Sequence, residues 1–91
     1  MRTIKRFPFS SITNPIFIMP KGSKILKIFS KNGQPIIIAE CRSNAPLVNR
    51  LIRIYQTGEE LPDEPGLYLN TIEFIGNEWH CFDGGERPLD K

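Results

Sequence analysis

Residues 24–41 read KILKIFSKNGQPIIIAEC, and this stretch decides the fold class. At its centre, Asn32-Gly33 is the dipeptide preferred in a two-residue type I′ turn, because both positions of that turn require positive φ. The isoleucine-rich runs on either side are expected to pair as two antiparallel strands. The turn fixes the register of this pairing, in which the opposite residues are Phe29 with Ile36, Ile28 with Ile37, Lys27 with Ile38, Leu26 with Ala39, Ile25 with Glu40, and Lys24 with Cys41.

The two faces of this predicted hairpin differ in composition. One face is apolar and is the predicted core side; it consists of Leu26, Ile28, Ile37, Ala39 and Cys41. The other, which we call the mixed face, carries Ile25, Phe29, Ile36 and Ile38 together with Lys27 and Glu40. A solvated face usually shows less apolar surface than this. The mixed face is therefore either an interface with an apolar centre and a charged rim, or a second buried side of a closed sandwich.

Short apolar runs alternate with turn residues along the rest of the chain, at the intervals of about 8 to 12 residues that are typical of β-sandwiches and barrels. The predicted strands are residues 3–9, 15–19, 24–31, 35–42, 49–56, 67–75 and 78–83. Residues 44–50 are also compatible with a helical turn. We predict a single all-β domain over residues 1–83, a small antiparallel sandwich or partly open barrel of about six to seven strands. A flexible tail is expected over residues 84–91.

Gly76-Asn77 is a second and weaker turn signal. Its register pairs Phe74 with Trp79, Ile72 with Cys81 and Asn70 with Asp83 on one face, and Glu73 with His80 and Thr71 with Phe82 on the other. The predicted core residues of this hairpin are Ile72, Phe74, Trp79 and Cys81. Because neighbouring residues of a strand alternate between its two faces, His80 and Cys81 are expected to point to opposite sides of the sheet.

Side chains suited to catalysis are few and separated. A cysteine nucleophile needs an imidazole within hydrogen-bond reach, and strand alternation places His80 away from Cys81, which leaves Cys41 as its only other partner. We expect Glu73 to lie beside His80 and to stabilise the imidazolium. The glycines fit no phosphate-binding spacing, and the carboxylates gather in one Pro-rich loop. The sequence therefore predicts no enzyme activity and no cofactor.

The number of cysteines argues against a metal-binding protein, and the hydropathy of the chain argues against a membrane-spanning one. Two cysteines and one histidine are too few for a structural zinc site, so no metal is expected. No apolar run approaches the roughly 18 residues that a membrane-spanning helix needs. The N-terminal residues resemble no export signal, so we expect a cytoplasmic protein in which Cys41 and Cys81 are reduced and buried.

Charge is distributed unevenly along the chain. Residues 1–50 contain nine basic residues and one acidic residue, whereas residues 51–91 contain three basic and nine acidic residues. This asymmetry indicates either a basic binding face or a sheet in which basic early strands lie beside acidic later strands. The second interpretation is favoured here, because antiparallel folds bring distant segments together and opposite charges across strands are mildly stabilising.

Single-stranded nucleic acid is one partner that the basic half would suit. The relevant cations, which are interleaved with Ile25 and Phe29, are Lys21, Lys24, Lys27 and Lys31. Small β-barrels bind single strands with aromatic platforms flanked by basic residues. The sequence pI of about 8.7 is modest, however, and the acidic second half weakens long-range attraction to phosphate. Nucleic-acid binding is therefore an alternative and not the leading interpretation.

Six short motifs follow one another along the chain: Ile4-Lys5-Arg6-Phe7, residues 19–26, Pro35 with Ala39, Arg53-Ile54 before Thr57-Gly58, Leu69-Asn70-Thr71, and Trp79-His80-Cys81-Phe82. Their order resembles a small domain family of unknown function from phage and prophage genomes, with the pattern LPKGAKIL, a TG turn, a Y-x-GT strand and a terminal WHVF. The chain departs from this pattern at four positions: Met19 stands where the pattern has Leu, Ser23 where it has Ala, Asn70 where it has Gly, and Cys81 where it has an aliphatic residue. The family supplies no catalytic residues, and it implies an accessory protein that acts by binding.

The sequence thus leads to the hypothesis of a non-enzymatic phage-type accessory protein that binds and blocks a bacterial host or defence protein, as a monomer or a homodimer. The expected contact residues on the mixed face are Ile25, Lys27, Phe29, Ile36 and Ile38. A second expected surface contains Tyr55 and residues 59–64 of the acidic loop, including Glu59 and Glu60. The alternatives are the nucleic-acid module described above and an oligomer that sequesters a nucleotide.

Overall fold

The computed structural model describes residues 1–13 and 15–89, and this part of the chain is all β. Its seven strands are β1 (Arg2–Pro8), β2 (Ile16–Pro20), β3 (Lys24–Lys31), β4 (Gln34–Arg42), β5 (Leu47–Gln56), β6 (Leu67–Phe74) and β7 (Asn77–Arg87). They form two antiparallel sheets. Sheet A has the strand order β1-β4-β3, and sheet B has the order β2-β5-β7-β6. The prediction of a small antiparallel sandwich is confirmed, and neither sheet closes into a barrel.

The hydrophobic core lies between the two sheets. Its buried residues are Phe9, Phe17, Met19, Ile28, Ile37, Ala39, Cys41, Ile52, Ile72 and Cys81. In β2 and β4 alternate residues enter this layer, as expected when one face of a sheet is buried, whereas β1 contributes only the partly buried Phe7. Both cysteines are free and buried, as the sequence predicted.

The strand positions agree with the predicted ones except at two places near the C-terminal half. β5 begins at Leu47, so the compatible helical turn over residues 44–50 does not form. β7 continues to Arg87, paired with β5 as far as Asn49, so residues 84–87 are strand and not the predicted flexible tail. Residues 90 and 91 of that predicted tail lie outside the described residues.

The first hairpin follows the predicted register only near its turn. Phe29 faces Ile36, Ile28 faces Ile37, and Lys27 faces Ile38 as expected. A β-bulge between Ile25 and Lys27 then shifts the pairing by one residue, so that Ile25 faces Ala39 and Lys24 faces Glu40. A bulge places two residues opposite one and changes which side chain points inward. Leu26 is consequently exposed and Ile25 packs against the core, so both of these predicted positions were wrong.

The second hairpin turns one residue earlier than predicted. Its two central residues are Ile75 and Gly76, with φ of 51° and 73°, and they join β6 to β7. Ile72 therefore faces Trp79 and Thr71 faces His80, instead of Cys81 and Phe82. Since each residue moves by two positions, it keeps its face of the sheet. The predicted core side is accordingly confirmed, with Ile72 and Cys81 buried and Phe74 and Trp79 packed against them.

A side-chain amide links the adjacent edges of the two sheets. The Ile28 backbone N–H donates to Asn70 Oδ1 at 3.1 Å, and Asn70 Nδ2 donates to the Ile28 backbone oxygen at 2.7 Å. Ile28 lies in β3 of sheet A, and Asn70 lies in β6 of sheet B. One side chain thus satisfies a donor and an acceptor that an edge strand would otherwise leave unpaired.

A nearly buried guanidinium connects sheet B to the turn between β2 and β3. Arg50 donates from Nε and Nη2 to the two carboxylate oxygens of Asp83, at 3.0 and 2.6 Å, and from Nη1 to the Ser23 backbone oxygen at 2.7 Å. Glu86 lies 3.5 Å from Arg50 Nη1 and accepts from the Gly22 backbone N–H at 2.6 Å. The bond to Asp83 raises the pKa of Arg50, and the same bond lowers the pKa of Asp83. No local sequence pattern predicts this network.

Candidate functional site

The outer face of sheet A brings together side chains from three strands, and we call it the basic face. Opposite residues share a face, so Ile38 of β4 lies between Arg6 of β1 and Lys27 of β3. The same rule, applied to the other paired positions of β1, β4 and β3, identifies the remaining residues of this face. Its apolar members are Ile4, Pro8, Phe29, Ile36 and Ile38, and its basic members are Arg2, Arg6, Lys24, Lys27, Lys31 and Arg42.

The basic face is accessible to a partner. Ile4 is 64% exposed, and Phe29, Ile36 and Ile38 are half-buried, although all lie on a sheet surface that faces away from the core. Six cations surround them, whereas the acidic residue on this face is Glu40. Glu40 accepts a hydrogen bond from Arg2 Nη1 at 3.0 Å, which neutralises part of one rim charge. The surface is thus an apolar centre with a strongly basic rim.

Four of the five residues predicted on the mixed face lie on the basic face. Lys27, Phe29, Ile36 and Ile38 lie on it, whereas the bulge turns Ile25 to the core. Of the cations proposed for nucleic acid, Lys24, Lys27 and Lys31 lie on this face, and Lys21 is exposed in the turn before β3. The contribution of β1, with Arg2, Ile4 and Arg6, was missed. Only the pairing of β1 with β4 reveals it, and no local sequence pattern indicates that pairing.

Within the described residues, charges are mostly segregated between the sheets, and the expected pairing of early basic with late acidic residues occurs at Arg50. The basic early strands β1, β3 and β4 form sheet A, while the acidic segments follow β5 in sheet B and its connecting loop. Within residues 1–13 and 15–89, the ion pairs are Arg2 with Glu40, Arg50 with Asp83, and Arg50 with Glu86. Sheet A is therefore strongly basic, whereas sheet B contains both the basic Arg50 and its acidic partners. Of the cations of the basic face, Arg2 forms an ion pair with Glu40, and the others form none within the described residues.

A second surface lies on the outer face of sheet B. Phe82 stacks edge-to-face with Tyr55 and Tyr68, with ring centroids 5.7 and 5.5 Å apart. These rings line a cleft of about 310 Å³, together with Glu59 and Leu61 of the acidic loop. The Glu59 side chain caps the loop by accepting from the backbone N–H of Gln56 at 2.7 Å. Glu60, the other loop residue expected at a contact surface, is exposed beside this cleft.

His80 is held by two threonines and not by Glu73 as expected. Its Nε2 lies 2.7 Å from Thr57 Oγ1 and its Nδ1 lies 2.8 Å from Thr71 Oγ1. Thr57 Oγ1 in turn donates to Glu78 at 2.9 Å. This last bond makes Thr57 an acceptor toward His80, so Nε2 carries a proton. On the other side of the ring, Thr71 Oγ1 also lies 2.7 Å from the Tyr68 hydroxyl. Both ring nitrogens are thus occupied within the protein, and the imidazole offers a ligand mainly its carbon surface.

The cysteines face a different environment from the histidine. Cys81 is fully buried in the core, and burial raises the pKa of its thiol to about 11. A thiol in this state is a poor nucleophile, because the thiolate is the reactive species. Among the residues that the structure describes, no three His, Cys, Asp or Glu side chains come close enough together to hold a metal ion.

A family model, Domain of unknown function (DUF7352), matches residues 1–89. The chain belongs to the DUF7352 family. No curated protein and no solved structure matches this DUF7352 chain. In the described part of the chain, no helix has the length and apolar character required to cross a bilayer.

In this DUF7352 protein, the terminal motif Trp79-His80-Cys81-Phe82 divides between the two sides of sheet B. Trp79 and Cys81 pack in the core, while His80 and Phe82 line the aromatic cleft. The Trp79 indole Nε1 donates to the backbone oxygen of Phe74 at 2.8 Å, which satisfies its polar group inside the hairpin. Half of this motif thus stabilises the fold and the other half forms surface.

Proposed function

We propose that this protein is a non-enzymatic accessory protein of the phage type, which binds an acidic surface of a bacterial host or defence protein and blocks it sterically. The observation that supports this proposal is the basic face, where six cations and one acidic residue surround an exposed apolar centre. The proposed partner presents carboxylates around a small apolar patch. This contact takes place in the cytoplasm of the bacterial host, and its role is host takeover or counter-defence.

The composition of the basic face suits protein recognition. Burial of Ile4, Phe29 and Ile38 supplies affinity, because apolar area removed from water stabilises an interface by roughly 25 cal/mol per Å² before the costs of association. The basic rim supplies orientation and a faster encounter with an acidic partner. Long Lys and Arg side chains also cover apolar surface with their methylene groups while their charged ends stay in water.

Single-stranded nucleic acid is the second candidate, since Phe29 lies on β3 between Lys27 and Lys31 on one face. Base stacking, however, requires exposed aromatic rings, each worth about 1 to 3 kcal/mol. Phe29 is the aromatic residue of this face and it is half-buried, whereas Ile4, Ile36 and Ile38 have no ring for a base to stack on. An aliphatic centre therefore favours a protein partner over a nucleic acid.

Affinity purification from a nuclease-treated bacterial lysate tests the proposal through paired variants. Ile4→Asp places a carboxylate in the apolar centre, and Leu67→Asp makes the same type of change at an exposed position of sheet B. Lys27→Glu reverses a charge on the basic face, and Lys21→Glu reverses one in the neighbouring turn. Circular dichroism and thermal unfolding verify that each variant is folded.

We expect a bacterial protein to be retained by the wild type, by Leu67→Asp and by Lys21→Glu, and to be lost with Ile4→Asp. Lys27→Glu should mainly slow association in a surface-binding experiment with the purified partner. Recovery of nucleic acid alone without nuclease, with binding that weakens steeply as salt increases, would replace the proposal by the nucleic-acid candidate. Equal retention of the protein by Ile4→Asp would place the contact elsewhere.

A further inference from the structure

Strand β2 forms an open edge of sheet B with properties that differ from those of the other sheet edges. Its sequence, IFIMP, contains no charged residue. The sheet A edge β1 carries Arg2, Lys5 and Arg6, and charged edge strands disfavour pairing with another chain. The edges β3 and β6 are joined by the Asn70 amide. Only β2, among the edges of the two described sheets, lacks both protections.

The hydrogen bonds flanking β2 show which of its backbone groups are free. The Ile52 N–H donates to the Pro15 oxygen at 3.1 Å, and the Lys21 N–H donates to the Pro46 oxygen at 2.7 Å. In an antiparallel pair, hydrogen-bonded positions alternate along each strand. Phe17 therefore directs its N–H and C=O toward β5, and so does Met19.

Ile16 and Ile18 occupy the intervening positions and direct their backbone groups away from β5. Within residues 1–13 and 15–89, no other group forms a hydrogen bond with the outward-facing N–H and C=O of these two residues. Pro20, the next outward-facing residue, has no N–H, and its oxygen accepts from the Ser23 N–H and hydroxyl. The free part of this edge is thus confined to Ile16 and Ile18.

The side chains of this edge are also unpartnered. Ile16 is 58% exposed and Ile18 is 56% exposed, both on the outer face of sheet B. Leu47, an exposed residue of the neighbouring strand, lies opposite Pro20. Beside Ile16 lies a mainly apolar cleft of about 210 Å³ that Leu51, Arg53 and Tyr55 also line. Apolar side chains and free backbone groups therefore coincide on one short strand, as at sites of strand addition.

We propose that β2 pairs with β2 of a second copy of this chain, antiparallel about a two-fold axis at Phe17. Ile16 of each copy then faces Ile18 of the other copy. Each of these two residue pairs exchanges two N–H···O bonds, so the outward-facing groups form four hydrogen bonds in total. The two four-stranded sheets become one continuous sheet of eight strands.

A second copy is the occupant that the edge itself specifies. Because β2 carries no charge, an identical strand meets it without repulsion, and the register centred on Phe17 uses all free groups of both copies. Pro20 ends the pairing, because it has no N–H to donate to a longer strand. The basic face lies on sheet A, so dimerisation leaves both basic faces open. The proposal neither depends on the proposed function nor conflicts with it.

The molar mass of the full chain in solution tests the dimer, by light scattering after size exclusion and by sedimentation. We expect a mass that increases with concentration toward twice the 10.4 kDa of one chain. Ile18→Lys should remain monomeric, because it introduces two like charges at the centre of the interface. Ile4→Lys makes the same exchange at a similarly exposed residue of β1 and should dimerise like the wild type.

A second variant and a local measurement test the register. Ile18→Pro removes an outward-facing N–H that β5 does not use, so it should abolish the dimer while the fold is retained. In the wild type, amide exchange at Ile16 and Ile18 should slow as concentration increases, whereas Phe17 and Met19 should be protected at every concentration. A monomer at all concentrations, a dimer that persists in Ile18→Lys, or a dimer with rapidly exchanging Ile16 and Ile18 amides would each overturn the proposal.

Discussion

The Asn70 side chain makes the hydrogen bonds to β3 that a neighbouring strand would otherwise make, and so bridges the gap between the two sheets. Its amide oxygen accepts from the Ile28 N–H, and its amide nitrogen donates to the Ile28 oxygen and, at 3.4 Å, to the Thr71 backbone oxygen. The motif pattern that this chain resembles has glycine at the position of Asn70, and glycine has no side chain to form this link. The residue therefore adds a connection between β3 and β6 that the backbone alone does not make.

Asn70→Ala should lower the free energy of unfolding by about 1 to 3 kcal/mol, because it leaves a partly buried donor and acceptor of Ile28 without their partner. Asn49→Ala is the matched control, since its side chain donates only to the backbone oxygen of Pro88 at 3.3 Å in an exposed setting. Urea unfolding at pH 7 measures both changes. Equal stability losses in the two variants would show that the Asn70 link contributes nothing specific.

Both thiols should be unreactive in the folded protein. Both side chains are buried, which restricts access of a reagent, and burial raises the pKa of the Cys81 thiol to about 11, so little Cys81 thiolate exists near neutral pH. A disulfide reagent such as DTNB at pH 8 should therefore modify neither residue at an appreciable rate. Both residues should react completely in guanidinium chloride. Rapid reaction of one thiol under native conditions would mean that the core opens at that strand.

Residue alternation in β7 was predictable, whereas the partners of its residues were not. The sequence indicated that Cys81 points inward and His80 outward, because alternation depends only on the strand itself. The partner of His80 depends on the neighbouring strand and hence on the turn position. A shift of the turn by one residue placed Thr71 opposite His80 in place of Glu73.

At the scale of the element, the β6–β7 turn contains a residue that is poorly suited to its conformation. Ile75 has φ of 51° and its side chain is 78% exposed. A β-branched residue in this left-handed region costs roughly 1 to 2 kcal/mol. The turn was predicted at Gly76-Asn77 from its turn-forming residues, and the pairing of the whole hairpin places it at Ile75-Gly76 instead.

Ile75→Asn should therefore stabilise the protein, because it creates the Asn-Gly dipeptide that the first hairpin already uses. We expect the free energy of unfolding to increase by about 1 kcal/mol and the melting temperature to increase by about 4 to 8 °C. Thermal unfolding by circular dichroism measures the change. Ile75→Ala provides the comparison, since it removes the branched side chain without adding a residue that favours positive φ. An unchanged or lower melting temperature for Ile75→Asn would contradict the assigned turn.

The β-bulge in β3 is an element-scale feature that the apolar pattern of the sequence does not predict. Strict alternation along KILKIF assigned Leu26 to the core and Ile25 to the surface, and both assignments were reversed. Leucine and isoleucine are equally apolar, so the pattern contains no signal for the extra residue. The bulge becomes visible only when the pairing of Ile25 with Ala39 is known.

At the scale of the whole molecule, the fold class follows from local patterns but the distribution of strands between sheets does not. Period-two alternation and turn residues were sufficient to predict all seven strands. Whether β1 pairs with β4 or with another strand depends on contacts between distant residues. The composition of the basic face, which needs Arg2 and Arg6 beside Ile38, therefore required the structure. Charge segregation has the same origin.

The Arg50 network stabilises the assembly of these elements, because it joins β5, β7 and the connection that crosses from sheet B to sheet A. Both side chains of the Arg50 and Asp83 pair are nearly buried, and their bidentate geometry satisfies the charged groups. Removal of one partner leaves the other without compensation in a poorly solvated site. The network should therefore govern the response of the fold to acid.

Asp83→Asn should lower the free energy of unfolding at pH 7 by about 3 kcal/mol, since it leaves Arg50 without its carboxylate partner. The pKa of Asp83 is lowered in the folded state, chiefly by its hydrogen bond with Arg50. The unfolded chain therefore binds this proton more readily, so the stabilisation is complete above the unfolded pKa of about 3.9 and is lost as pH falls through the lower folded value. Urea unfolding between neutral pH and pH 2 should show a steep decrease for the wild type and a shallower one for Asp83→Asn. Glu60→Gln, in the exposed loop, should keep the wild-type slope, and an equally steep decrease in Asp83→Asn would assign the acid sensitivity to other carboxylates.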